Sequence, residues 1–322
     1  MPTACLKTVD LHYLQLGQQT SQNSFPSDLV MVHGLAASLG FWSYAASVLA
    51  QTHPVTLFDL RGHGRSSMPQ SGYTPWQMAE DLRELLDYLG IQKAHLLGHS
   101  FGGSVILQFA HRYPERVASL IFADVRLKLL QPEQKLCDWK HWQKFQPIFN
   151  KLGIELDEND SESGYQLLEE IAKLQLKIPE GKGFLHKLPS PFFGKAAKRT
   201  ASRWLKLLET TTARHELSDS GNMTLNQLQQ IQKPTLAIYG EYSQAIVSAL
   251  ALKQLWTHSH FECVPQAGHF FPISQPEKLI VPVQKFLSQT KTLESQESVV
   301  FSQVIIDSGV IDTPRLQLGE HN

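Results

Sequence analysis

The chain has 322 residues, 42% of them hydrophobic and 18% charged, with a formal net charge of -1 at pH 7. That balance implies a sizeable core in one large or two modest domains, and it supplies no global field to attract nucleic acid or an anionic membrane. The three cysteines, Cys5, Cys137 and Cys263, are far apart and lack metal-ligand spacing. Reduced thiols, no charged leader and no long apolar run together predict a cytoplasmic chain without a membrane span.

Residues Cys5 to Leu16 alternate loosely and predict two short strands, followed by a polar loop to Ser27. Leu29 to Val32 reads as a buried strand that ends in His33-Gly34-Leu35. Phe41, Ala45, Val48 and Leu49 then share a helix face, and Val55 to Phe58 is the next buried strand. A glycine-punctuated loop follows, Asp59-Leu60-Arg61-Gly62-His63-Gly64-Arg65-Ser66, in which Asp59 and Arg61 are expected to pair. Thr74-Pro75-Trp76-Gln77 has the form of a helix start, and Met78, Leu82, Leu85, Leu86 and Leu89 mark the buried face up to Gly90.

Ala94 to Leu97 is a strand, Val105 to Ala110 a helix, and between them lies Gly98-His99-Ser100-Phe101-Gly102-Gly103. A serine on so tight a strand-to-helix turn is a nucleophile elbow. Glycines two residues to either side let neighbouring backbones approach, and the following helix points its free N–H groups at the place where an oxyanion forms. Another strand, Val117 to Ala123, ends in Asp124. Alternation of this kind predicts a doubly wound, mostly parallel sheet covered by helices.

From 127 to 222 the alternation stops and amphipathic helices predominate, with Trp139, Trp142, Phe145 and Phe149, then Leu167, Leu168, Ile171 and Leu174, then Trp204, Leu205 and Leu208 at helical spacing. This segment reads as an inserted helical cap between core segments 1–126 and 223–290. Strands resume at Thr235 to Tyr239 and His260 to Val264, a last helix is expected over Pro276 to Ser288, and 291–322 reads as a polar tail with one apolar run.

The elbow, His33-Gly34-Leu35, the Asp59 to Ser66 loop and Gly268-His269-Phe270-Phe271 together resemble the α/β-hydrolase superfamily with an inserted cap, of the serine hydrolase or esterase type. The resemblance covers residues 5 to 290 and implies that Ser100 is the nucleophile and His269 its base. It also implies that the backbone N–H groups of Phe101 and Leu35 form the oxyanion hole. The acid departs from the common pattern. Where relatives carry aspartate after the penultimate strand, this chain has Gly240-Glu241-Tyr242-Ser243. Asp124 is the favoured replacement, because haloalkane dehalogenases of the superfamily carry the acid after the same strand; Glu241 is the alternative, and a dyad without an acid is the third arrangement.

These readings predict a serine hydrolase acting through an acyl-enzyme on an ester, thioester or amide of a small to medium apolar acid, with no metal and no cofactor. Rival readings on the same fold are a lyase, a carbon–carbon bond hydrolase, a cofactor-free oxygenase, or a small-molecule receptor with little turnover. The stretch Lys182 to Lys206 carries seven Lys or Arg and no acid. It reads as a solvated helix face, or else as a docking patch for an anionic partner or substrate tail.

Overall fold

A computed structural model describes residues 2–17, 27–177, 190–219, 223–257 and 259–290. The tail and the cations Lys182 and Lys187 lie outside the described residues. Strands β1 (Thr3–Cys5), β2 (Asp10–Leu16), β3 (Asp28–Val32), β4 (Val55–Phe58), β5 (Ala94–His99), β6 (Val117–Ala123), β7 (Thr235–Gly240) and β8 (His260–Val264) form one sheet in the order β1-β2-β4-β3-β5-β6-β7-β8. Pairing is antiparallel for β1 with β2 and for β2 with β4, and parallel from β4 through β8.

The all-apolar strands resolve into two faces once the period of two is applied. On β3, Val30 and Val32 enter one core and Leu29 and Met31 the other; on β6, Leu120 and Phe122 are separated in the same way from Ile121 and Ala123. The first core is closed by α2 (Pro75–Tyr88), α3 (Phe101–Arg112) and α9 (Ile246–Leu255), represented by Leu82, Ile106 and Leu252. The second is closed by α1 (Ser43–Leu49) and a helix over 277–290, through Ala46 and Val283. Helices therefore cover both faces.

Between β6 and β7 lie α4 (Trp142–Lys151), α5 (Ser163–Lys177), α6 (Ala197–Thr210), α7 (Ala213–Glu216) and α8 (Leu225–Gln229). Trp142, Ile171 and Trp204 from this insertion join the first core, so its apolar faces pack onto the α2–α3 side of the sheet. Helix α9 had no periodic signal to announce it, because Ile246 to Leu255 is apolar nearly all round. Among the described residues no helix is long and apolar enough to cross a membrane.

The expected Asp59–Arg61 pair is corrected. Arg61 donates through Nε to Asp81 Oδ2 at 2.6 Å, both residues being buried. Asp59 instead accepts from His12 Nδ1 and Leu39 N, each at 2.7 Å, and from Arg65 N at 2.8 Å. One buried carboxylate thus ties β2, the loop after β3 and the loop after β4 into a single platform, with its charge shared among three donors.

Candidate active site

Every described non-glycine residue with positive φ lies in the loops at the carboxyl ends of the strands: Ala36 after β3, Ser100 after β5, Asp124 after β6 and Gln266 after β8. Such conformations cost of order 1–3 kcal/mol each and persist only where packing imposes them. At Ser100 (φ 53°, ψ -123°) the packing is visible. A Cβ on Gly98 would lie 2.6 Å from the Gly102 carbonyl carbon, and one on Gly102 would lie 2.6 Å from the His33 carbonyl oxygen. The strand, turn and helix fit only because those side chains are absent.

Ser100 Oγ donates to His269 Nε2 at 3.0 Å, and His269 Nδ1 donates to Asp124 Oδ1 at 2.7 Å. A carboxylate can only accept, so it places the histidine proton on Nδ1 and leaves Nε2 free to take one from serine. Asp124 is fully buried. Its charge is met by three donors, His269 Nδ1 and the Ser243 hydroxyl on Oδ1 and the Gly240 N–H at 2.7 Å on Oδ2, while its backbone N–H donates to the Ile238 carbonyl at 2.8 Å. The β7 and β8 loops meet backbone to backbone, with a Cβ on Gly240 falling 2.5 Å from the Ala267 carbonyl oxygen. That close approach suspends His269 above Asp124.

Glu241 does not reach His269. Its side chain accepts from Gln266 N at 2.8 Å, on an exposed part of the loop. The alternative acid is therefore corrected to a brace for the His269 loop, its carboxylate being held by the Gln266 N–H three residues before His269. Ser243 shares Asp124, a role its position in the motif did not signal.

The Phe101 N–H is the first of α3 and has no helical acceptor. A Cβ on Gly34 would lie 2.9 Å from Ser100 Cβ, which places the 34–35 backbone, and with it Leu35, against Ser100. His99 is buried beneath the site: its Nε2–H donates to the His269 carbonyl at 3.0 Å and its ring stacks on Phe41. Burial, together with the neighbouring His269, holds the His99 pKa well below the ordinary histidine value, so the ring is neutral. His33 is neutral for the same reason of burial; it donates from Nδ1 to the Gly34 carbonyl and accepts the Leu60 N–H on Nε2. These two rings hold the loops that present Leu35 and His269.

Ser100, His269, Phe101 and Leu35 open onto a cavity of about 930 Å³ roofed by the insertion. Trp139, Phe145, Leu168, Ile171 and Met223 line its apolar part, while Arg126, Lys128, Gln134 and Tyr165 line another part. Trp142, by contrast, packs on Phe149 away from the cavity. Arg126 and Tyr165 carry no local sequence signal, since only the fold brings them to the cavity. Among the described residues no group of three or more His, Cys, Asp or Glu side chains is arranged to hold a metal.

Residues 29–150 match the family described as alpha/beta hydrolase fold. The abhydrolase domain-containing protein abhd-5.2 of Caenorhabditis elegans is 39% identical over 100 residues, which is 30% of this chain and 22% of that protein, so the match spans about a fifth of the relative's length. A crystal structure from Nitrososphaera gargenis, from work on its carboxylesterases, superposes with a TM-score of 0.62 at 19% identity over 90% of this chain and 99% of that one. Carboxylesterase CesB of Bacillus subtilis does so with a TM-score of 0.63 at 20% identity over 88% and 90%.

Proposed function

We propose that this chain, whose residues 29–150 match the alpha/beta hydrolase fold family, is a serine hydrolase that cleaves an ester, thioester or amide of a small to medium, largely apolar substrate. The observation that carries this reading is the relay Ser100–His269–Asp124, at 3.0 and 2.7 Å, at the floor of a large and partly aromatic cavity.

In this mechanism Ser100 Oγ attacks the carbonyl carbon while His269 Nε2 takes its proton. Asp124 stabilises the imidazolium that results. The Phe101 and Leu35 N–H groups receive the charge that develops on the carbonyl oxygen. Collapse of the tetrahedral intermediate passes the His269 proton to the leaving group and leaves an acyl-Ser100 ester. Water, deprotonated by the same His269, then releases the acid and restores the serine. The 127–222 insertion acts as a cap that supplies the acyl or alcohol pocket and excludes water.

Fluorophosphonate labelling followed by mass mapping tests the reading. The expected adduct is on Ser100, and Ser100→Ala is expected to lose both adduct and ester turnover while keeping its melting temperature within a few degrees. An adduct on Ser104 or Ser243, or none on a folded protein, overturns it.

A further inference from the structure

We propose that the cavity takes an ester whose far end carries a carboxylate, received by the Arg126 guanidinium and the Tyr165 hydroxyl. The inference rests on the serine hydrolase reading and names the substrate class of that same site.

Arg126 stands two residues beyond Asp124, on backbone fixed on both sides. Tyr239 Oη donates to the Val125 carbonyl at 3.0 Å, and Leu127 N donates to Ser248 Oγ at 3.0 Å. The guanidinium is aimed by three bonds: Nε to the Gln131 carbonyl at 3.0 Å, Nη1 to Gln134 Oε1 at 3.1 Å and Nη2 to the Pro132 carbonyl at 2.6 Å. All three acceptors are neutral. They orient the group, use three of its five N–H donors and leave its charge unbalanced.

Among the described residues Arg126 forms no ion pair. The carboxylate whose charge it senses, Glu162, accepts from Lys128 Nζ at 3.2 Å and does not line the cavity. Among the described residues Arg126, Lys128 and Lys144 line the cavity, against the one lining carboxylate of Asp219. A half-buried guanidinium without a counter-ion is costly, and burial does pull its pKa below the ordinary arginine value. Tyr165 lies beside it, with burial raising its pKa, so its hydroxyl remains a neutral donor. A forked cation with donors to spare, next to a phenol, fits a planar carboxylate better than a neutral amide or hydroxyl. Leu168 and Ile171, which line the same cavity, offer apolar surface to the methylenes of such a chain.

The bland account is that Arg126 only braces the 131–134 turn. That role changes stability but leaves substrate preference untouched, so selectivity is the readout that separates the two. We would compare p-nitrophenyl hemiesters of the linear dicarboxylic acids, malonic to suberic, with the p-nitrophenyl esters of monocarboxylic acids of equal length. The expected result is one chain length at which the hemiester exceeds its neutral partner in kcat/KM by about tenfold or more, an advantage that shrinks with added salt. Arg126→Gln is expected to bring that ratio to about one, mainly through the hemiester KM. No hemiester preference at any length, or a ratio that survives Arg126→Gln, overturns the proposal.

Should Arg126→Gln fail to fold, Arg126→Lys keeps the charge without the fork, and a ratio equal to that of the unaltered chain refutes the bidentate site. If Ser100 takes no fluorophosphonate and no ester turns over, the hydrolase reading has failed. Calorimetry with free dicarboxylates of the same lengths still decides the subsite, and no heat with any of them on the unaltered protein sinks it.

Discussion

Ser243 and His269 share one oxygen: the Ser243 hydroxyl and the His269 Nδ1–H both donate to Asp124 Oδ1. The position where relatives are expected to carry the acid thus holds a residue that donates to a carboxylate supplied from the end of β6. A buried carboxylate with these donors has one orientation in which every bond is made.

Asp124→Asn is expected to keep the fold and to lose activity by about a hundredfold or more; the corresponding change in serine proteases costs about ten-thousandfold. Glu241→Gln is expected to cost less than about fivefold, since its carboxylate accepts the Gln266 N–H, a bond that the amide oxygen can keep. Steady-state rates on one activated ester compare the two. Equal losses would remove Asp124 from the relay.

Ser243→Ala is expected to lower kcat by about tenfold with a smaller change in KM, because the hydroxyl donates to the Asp124 oxygen that faces His269. Ser243→Asp placed in an Asp124→Asn background is expected to recover part of the lost rate, since position 243 already lies within hydrogen-bond reach of the oxygen that faces His269. Absence of any recovery in a folded double variant would show that the carboxylate must come from the β6 end.

Two neighbouring tryptophans are expected to behave differently. Trp139 lines the cavity and donates from Nε1 to the Tyr242 carbonyl at 3.0 Å, so Trp139→Ala should alter the preference among acyl chains more than the rate on a minimal ester. Trp142 is 3% exposed, stacks on Phe149 and donates to Glu158 at 2.6 Å. Trp142→Ala should instead cost about 3–5 kcal/mol of stability, seen as a fall in melting temperature. A shared phenotype would contradict this division.

Stability is expected to fall with acid through buried neutral histidines. His63 and His95 are each pushed down to about 3, chiefly by burial and then by neighbouring histidines. Unfolded, each titrates near about 6.5 and takes up a proton that the folded state refuses. Their stabilisation is therefore complete above about 6.5 and is lost as pH falls towards 3, on the order of 1 kcal/mol per pH unit for each group. His95→Gln should melt lower at pH 7.5 yet lose less between pH 7.5 and 4.5 than the unaltered chain. Parallel slopes in circular dichroism melts would count against it.

Local signals determined much of this molecule. Strands β4, β6 and β8 and the start of α2 at Pro75 could be read from apolar runs, proline and glycine, because those features act within a turn or a strand. The elbow was equally legible: a serine that must adopt φ 53° needs glycine on both sides whatever surrounds it. Partnerships between distant charged groups were legible only in part: resemblance to a family favoured Asp124 over Glu241 beside His269, whereas the Arg61–Asp81 pair had no signal. Asp124 and Glu241 both stand at strand ends, and the folded chain puts Asp124 on His269 and Glu241 on the Gln266 N–H. Arg61 lies two residues from Asp59 yet binds Asp81, twenty residues on, because the α2 packing brings that carboxylate to the buried guanidinium. Arg126 reaches the cavity on the same terms. A buried charge finds its partner by direction and desolvation, and both are properties of the packed chain, not of neighbouring positions along it.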